Sequence, residues 1–169
     1  MPAQSMPARF REWYDYERDC NAKTVAMLES VPPDRRADPD YPRALAKLAH
    51  MVIARWMWLY RLGKIDNHPP ARDRFDGSDT LGGVRAQLTK VEQAWTTYLA
   101  TIDETELART LDWSMPDGRA WRWPVEKLLV QVFGHAWYHR GQIATLVADL
   151  GGTPVDTDYI FWDRPEQIA

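Results

Sequence analysis

The sequence predicts an all-α protein, a four-helix bundle with a short β-hairpin between the third and fourth helices. Four long segments repeat apolar residues at helical spacing, proline and glycine separate these segments, and one short stretch alternates apolar and polar residues. Amphipathic helices bury their apolar faces most economically against one another. At 169 residues the chain has the size of one domain, expected over residues 1–169 with residues 1–8 as a flexible tail.

The first two predicted helices flank a polar, proline-rich loop. The first ends at Pro32-Pro33 and carries an apolar stripe spaced by three, four or seven residues. The stripe consists of Phe10, Trp13, Cys20, Thr24, Met27 and Val31. The second helix begins near Pro42 and runs to about Arg61, with Gly63 as its C-terminal cap. Residues 64–79 are too polar and too interrupted by proline and glycine for a regular element, so they predict a surface loop.

The second half of the chain contains the hairpin between two further helices. Apolar residues from Leu81 to Ile102 alternate spacings of three and four, which is typical of a helix in a bundle. The apolar period then changes to two on both sides of residues 115–118, Met-Pro-Asp-Gly, which indicates a hairpin turn. Pro124 opens the fourth helix, and Gly151-Gly152 ends it.

Composition and charge exclude several classes of protein. The hydrophobic fraction of 45% and the charged fraction of 27% are ordinary for a globular domain, which argues against a disordered or fibrous chain. The net charge of −3 argues against a broad electrostatic surface for nucleic acid or an anionic membrane. No apolar run reaches the roughly 20 residues that span a bilayer, and the start lacks the apolar core of a signal peptide. We therefore expect a cytoplasmic protein without nucleic-acid or membrane partners.

Histidines are the candidate metal ligands. The single cysteine, Cys20, excludes an internal disulfide and a cysteine-based zinc site. His135 and His139 lie four residues apart on the inward face of the fourth helix, where both rings can reach one metal ion. The alternative is that each ring donates to a backbone carbonyl or a tyrosine in the core. His50, on the apolar border of the second helix, is the candidate third ligand, and the loop residue His68 is expected to be exposed. Three histidine ligands would leave an open coordination position, as in catalytic metal sites.

Three stretches carry a family resemblance. Residues 48–59 read LAHMVIARWMWL, residues 132–143 read VFGHAWYHRGQI, and residues 151–158 read GGTPVDTD. With the aromatic end of the chain, they resemble the DinB family of the DinB/YfiT-like metalloenzyme superfamily over almost the whole sequence. One departure lies in residues 16–21, which read YERDCN where relatives often have Tyr-Asn-x-Trp-Ala-Asn. This chain therefore lacks the tryptophan that could form a pocket wall there.

The resemblance implies a four-helix bundle that binds one divalent metal ion through three histidines, which correspond to His50, His135 and His139. Zinc or nickel is the expected ion, and iron or manganese also suits imidazole and water ligands. In the superfamily the metal serves thiol chemistry, while other members are described as hydrolase-like. We therefore expect an enzyme that activates a low-molecular-weight thiol cosubstrate or water toward a small-molecule substrate. The resemblance assigns no catalytic side chain beyond the ligands.

A second hypothesis is a non-catalytic interaction protein. In that case the metal ion would clamp two helices, and tryptophan-rich surfaces would form a homodimer, as is common among relatives of the family. Three tryptophans are candidates either for the mouth of a cavity or for core and subunit packing: Trp56, Trp58 and Trp137.

The sequence also predicts structural roles for three other residues of the fourth helix. Arg140 is expected to pair with Asp158 or Asp163 in the C-terminal segment rather than to anchor a substrate carboxylate. Gly141 is expected to allow the close approach of a neighbouring helix. Glu126 is expected to be solvated in the first turn of its helix, where the helix dipole favours it.

Overall fold

The computed structural model describes residues 4–69, 80–114 and 117–163. Within these ranges it confirms a mainly α-helical fold with one antiparallel hairpin. In chain order the helices are α1 (Met6–Glu29), α2 (Asp40–Arg61), α3 (Leu81–Ala100), α4 (Glu104–Ala108), α5 (Val125–Asp149) and α6 (Tyr159–Trp162). The strands β1 (Thr110–Ser114) and β2 (Ala120–Pro124) lie between α4 and α5, and a 3₁₀ turn, Pro33–Arg35, lies between α1 and α2.

The first helix begins inside the stretch that we expected to be a tail. The Ser5 hydroxyl accepts a hydrogen bond from the backbone N–H of Ala8, and Pro7 occupies the first turn. Both features favour a helix start, so α1 begins at Met6. Of the expected tail, residues 1–3 lie outside the described residues. Most of the predicted stripe is buried, whereas Trp13 is only partly buried against the core.

The predicted end of the second helix is confirmed in detail. Gly63 has a φ of 71°, and its N–H donates to the carbonyl of Tyr60 over 2.9 Å. Lys64 N–H reaches back to the carbonyl of Leu59, also over 2.9 Å. A left-handed residue with these bonds satisfies carbonyls that a helix end leaves unpaired. The loop predicted after it is described only for residues 64–69, which contain no helix or strand.

The hairpin has the register that its alternating pattern implies. Trp113 lies opposite Trp121, and Leu111 lies opposite Trp123. Gly118, at the end of the predicted turn, has a φ of 83°. Residues 115–116 of that turn lie outside the described residues. The edge of the Trp113 ring contacts Trp58 of α2, with the ring centroids 5.5 Å apart, so the hairpin is anchored on the bundle.

Four helices form the bundle, and each packs mainly on two others. The order of the helices around the bundle is α1, α3, α2, α5, so α1 and α2 lie diagonally opposite each other. The most extensive contact joins α2 to α5, and these are the helices that carry the three candidate ligands. Trp95 of α3 is fully buried, and its indole N–H donates to the carbonyl of Arg55 over 3.2 Å. Among the described residues, none of the helices combines the length and apolar character needed to cross a bilayer.

The expectation for Gly141 is wrong. A Cβ built on Gly141 would meet no atom of the described residues within 4 Å, so none of the described helices approaches closely there. The close approach occurs instead at Gly152, where a Cβ would lie 2.7 Å from Val147 Cγ1 and 3.0 Å from Ser30 Oγ. The chain turns back over the end of α1 at this point, and only a glycine leaves room for it.

Candidate metal centre

The structure brings the three predicted ligands together between α2 and α5. The Nε2 atom of His135 lies 3.2 Å from Nε2 of His50 and 3.1 Å from Nε2 of His139. One nitrogen from each ring lies within 4.8 Å of the others. All three side chains are half-buried, so the cluster lies at the border of the bundle rather than in its centre.

Helical spacing explains this convergence. His135 and His139 are one turn apart on α5, and their ring centroids are 4.5 Å apart. Because α2 packs along α5, the ring of His50 lies 5.0 Å from each of the other two rings. The local pattern placed the pair on one face, and the packing of α2 against α5 supplies the third ring.

Burial governs the protonation state of His135 in this cluster. Burial lowers the pKa of His135 to about 4, and the neighbouring charges of His139, His50 and Arg55 act in the same direction. The ring of His135 is therefore neutral at physiological pH. A neutral imidazole carries one N–H and one lone pair, and only the lone pair can bind a metal ion.

A hydrogen bond fixes the orientation of His139. Its Nδ1 atom lies 2.9 Å from Oε1 of Gln142, one turn further along α5. An amide oxygen only accepts, so Nδ1 carries the proton and the lone pair of Nε2 faces the other two rings. Lys47 of α2 donates to the same Oε1 over 3.0 Å, which holds the Gln142 amide in this orientation. Histidines that bind a metal ion through one ring nitrogen typically donate the N–H of the other nitrogen to a hydrogen-bond acceptor in this way.

The three nitrogens fit a divalent metal ion. Ligand nitrogens at 2.0–2.1 Å in tetrahedral geometry lie roughly 3.4 Å apart, close to the 3.2 Å and 3.1 Å that separate Nε2 of His135 from Nε2 of His50 and of His139. Without a cation, the single Nε2 proton of His135 could serve only one of its two neighbours. A shared ion would accept all three lone pairs. The described residues add neither a carboxylate nor a cysteine to this group.

The other predicted residues lie elsewhere. His68 is exposed as expected, and its ring packs against Tyr60 with the centroids 5.0 Å apart. Cys20 is fully buried on α1, with Sγ 3.7 Å from the carbonyl of Thr157. Glu126 is exposed in the first turn of α5, also as expected.

The predicted tryptophans divide between two regions. Trp58 borders a narrow void between α2 and α5 that also touches His135. Trp137 lines a separate cleft of about 270 Å³ beside the C-terminal segment, together with Tyr16 and Tyr159. Trp56 is partly buried against the core. Tyr138 is exposed, and its ring contacts His139 with the centroids 5.2 Å apart.

The predicted partner of Arg140 is wrong. Its guanidinium binds Glu17 of α1 through two hydrogen bonds, rather than Asp158 or Asp163. Sequence reasoning passed over Glu17 because a carboxylate is rarely buried. A signal was present, however. The apolar stripe of α1 has a spacing of seven between Trp13 and Cys20, and Glu17 occupies the position that completes the alternation of three and four.

The comparison with protein families agrees with the fold and with the cluster. The family model of the DinB family matches residues 4–168. The chain belongs to the DinB family. No curated protein sequence gives a significant match. DinB-family membership and the three-histidine cluster of this DinB chain are both compatible with metal binding.

Proposed function

We propose that this DinB-family protein binds one divalent metal ion through His50, His135 and His139 and activates a low-molecular-weight thiol for transfer to a small-molecule electrophile. The observation that carries the proposal is the convergence of three imidazole nitrogens at a half-buried position that solvent can reach. Zinc or nickel is the proposed ion, and iron or manganese is compatible with the same ligands.

The chain's own residues prepare the site. Gln142 and Lys47 hold His139 with its lone pair toward the centre. A metal ion with three imidazole ligands keeps an open position, where a thiol or water molecule loses its proton more readily. Lys47 adds a positive charge at this border, which favours the approach of an anionic cosubstrate.

Two observations favour a thiol over water. Burial raises the pKa of the Cys20 thiol, and this side chain is inaccessible, so a reacting sulfur would come from a cosubstrate. Hydrolysis would also need a general base within hydrogen-bond reach of the reacting water. No carboxylate among the described residues joins the histidine cluster. Activation of water is therefore the second candidate.

The test compares wild type with His139→Ala after loading with zinc, nickel, iron or manganese. Transfer of cysteine, glutathione or coenzyme A to monochlorobimane reports thiol activation, and hydrolysis of p-nitrophenyl acetate reports water activation. We expect metal-dependent thiol transfer that His139→Ala abolishes. His68→Ala is the control and should leave both metal stoichiometry and activity unchanged, because His68 lies outside the cluster.

The alternative is a non-catalytic protein in which the metal ion joins α2 to α5. It gains support if no metal-loaded form turns over either probe while removal of the ion lowers Tm. We further propose that the protein acts in the cytoplasm as a homodimer. Three exposed apolar side chains on α5 support the dimer: Val130, Trp137 and Tyr138.

Sedimentation equilibrium tests the dimer. Val130→Glu places a charge within the exposed apolar surface of α5, whereas Gln93→Glu adds the same charge to the exposed face of α3. We expect a wild-type dimer that Val130→Glu dissociates and Gln93→Glu preserves. A monomeric wild type at micromolar concentration would contradict the proposal.

A further inference from the structure

Glu17 of α1 is a buried carboxylate outside the group of candidate ligands. Its side chain is completely buried. Its two carboxylate oxygens accept hydrogen bonds from Arg55, from both Nη atoms of Arg140, and from Nε1 of Trp137 over 2.6 Å. The carboxylate is therefore bound by donors from two other helices.

These donors lie at the level of the candidate ligands. On α2, Arg55 follows His50 by five residues. On α5, Arg140 is adjacent to His139, and Trp137 lies midway between the two histidines of that helix. Helices α1 and α2 are diagonal in the bundle, so the bond from Glu17 to Arg55 crosses its core. One carboxylate thus joins the two ligand-bearing helices to each other from behind.

The net charge of this cluster indicates that its hydrogen bonds fix the positions of the helices rather than stabilise the core. Two buried guanidinium groups share one carboxylate, which leaves one net positive charge in the core. Among the described residues, Nη1 of Arg55 and Nε of Arg140 have no hydrogen-bond partner. Apolar side chains of similar volume often stabilise a core as well as a buried ion pair does. Directional bonds, in contrast, fix where each helix lies.

We infer that Glu17 is a positioning residue for the metal centre, because its carboxylate holds α2 and α5 at the separation that brings His50 to His135 and His139. This inference rests on the proposed metal binding. The inference also goes beyond metal binding, since it assigns a role at the site to α1, a helix that supplies none of the ligands.

The test measures metal binding and ligand geometry separately from stability. Glu17→Gln keeps the shape of the side chain and removes its charge. Glu106→Gln is the matched control, since Glu106 is half-buried on α4 and binds Arg109 and Tyr98 rather than any donor to Glu17. Three quantities are compared with wild type: the Kd for Zn²⁺, the d–d absorption spectrum at saturating Co²⁺, and the Tm of the metal-free protein.

We expect Glu17→Gln to raise the Kd for Zn²⁺ about tenfold, as loss of an outer-sphere partner typically does, and to alter the Co²⁺ spectrum. Glu106→Gln should lower Tm without changing either metal readout, because it removes a carboxylate that its partners stabilise in the folded protein. Trp137→Phe provides a second variant, because Trp137 is 48% exposed and the substitution removes one donor to Glu17 while it keeps the ion pairs. Trp137→Phe should change the Kd for Zn²⁺ and the Co²⁺ spectrum in the same direction as Glu17→Gln, but by a smaller amount. If Glu17→Gln does not fold, the result for Trp137→Phe tests the inference.

The outcomes separate the two proposals. If wild type binds both ions and neither variant changes the Kd or the Co²⁺ spectrum, Glu17 serves stability alone and the inference is overturned while the proposed function stands. If wild type binds neither ion, the proposed function fails and the inference falls with it. Parallel changes in Kd and spectrum, absent from Glu106→Gln, support the positioning role.

Discussion

At the scale of single residues, the position of the proton on each imidazole decides whether the cluster can bind a metal ion. Gln142 fixes this for His139, because its Oε1 atom accepts from Nδ1 and leaves Nε2 free to coordinate. Lys47 makes the same oxygen a better-oriented acceptor by binding it from α2. The two side chains together form a polar support behind one ligand.

We predict that Gln142→Met weakens Zn²⁺ binding by about tenfold, since the ring of His139 loses the acceptor that orients it. Methionine keeps the length of the side chain, so packing changes little. Competition with a chromophoric chelator measures the Kd. Gln131→Met, on the exposed face of the same helix, is the control and should match wild type. Equal affinities for Gln142→Met and its control would exclude a supporting role for the amide.

Residue identities at the site were only partly predictable. The spacing of His135 and His139 indicated a shared face, and His50 stood out as a polar residue on an apolar border. Lys47 and Gln142 could not be paired, because their contact depends on how α2 is rotated against α5. Glu17 was not predicted, because carboxylates generally lie at the surface. The helical period of the apolar residues nevertheless places position 17 on the buried face of α1.

At the scale of elements, the four long helices followed from their apolar period, and the hairpin followed from a change of period. The short helices α4 and α6 were not predicted, because five and four residues contain too few turns for a repeat. The order of helices around the bundle was also open. Connections long enough to cross the bundle permit several arrangements, and only the packing selects one.

Two glycines, one in the interior of α5 and one just beyond its end, give opposite predictions. Gly141 lies in the interior of α5 with open space around it, so Gly141→Ala should raise the free energy of unfolding by about 1 kcal/mol through helix propensity. Gly152→Ala should lower it by about 1–3 kcal/mol, because the new methyl group meets Val147 and Ser30. Urea denaturation measures both. A stabilised Gly152→Ala protein would show that the packing at the end of α5 is looser than described.

At the scale of the whole molecule, Glu106 links the short helix α4 to α3 and to the segment after α2. It binds Arg109 at the end of α4 over 2.7 Å, accepts from Tyr98 of α3 over 3.0 Å, and pairs with Lys64 after α2 over 3.2 Å. These partners, Arg109 above all, lower the pKa of Glu106 to about 2 although burial opposes the change. The carboxylate therefore favours the folded state only while it is ionised.

The pH dependence of stability follows from this shift. Because the pKa is lower in the folded protein than the ordinary value of 4.5, the stabilisation is complete above about pH 4.5 and is lost as the pH falls toward 2. We predict that Glu106→Gln lowers the free energy of unfolding by about 2 kcal/mol at pH 7 and that the difference from wild type shrinks toward pH 2. Urea titrations at several pH values measure it, with Glu126→Gln as the exposed control. If the difference in the free energy of unfolding between Glu106→Gln and wild type does not vary with pH, the effect of the substitution comes from packing and not from charge.

Metal binding should couple the candidate site to the stability of the entire bundle. The three ligands come from α2 and α5, the helices with the most extensive contact, so unfolding either helix would release the ion. At a free metal concentration about a hundred times Kd, binding contributes about 2.7 kcal/mol, which corresponds to a Tm increase of about 5–10 °C for a chain of this size. Scanning calorimetry with and without Zn²⁺ should show this increase in wild type and in His68→Ala. His139→Ala should lose most of it, because two rings hold the ion far more weakly than three. An undiminished increase in His139→Ala would place the stabilising ion outside the cluster.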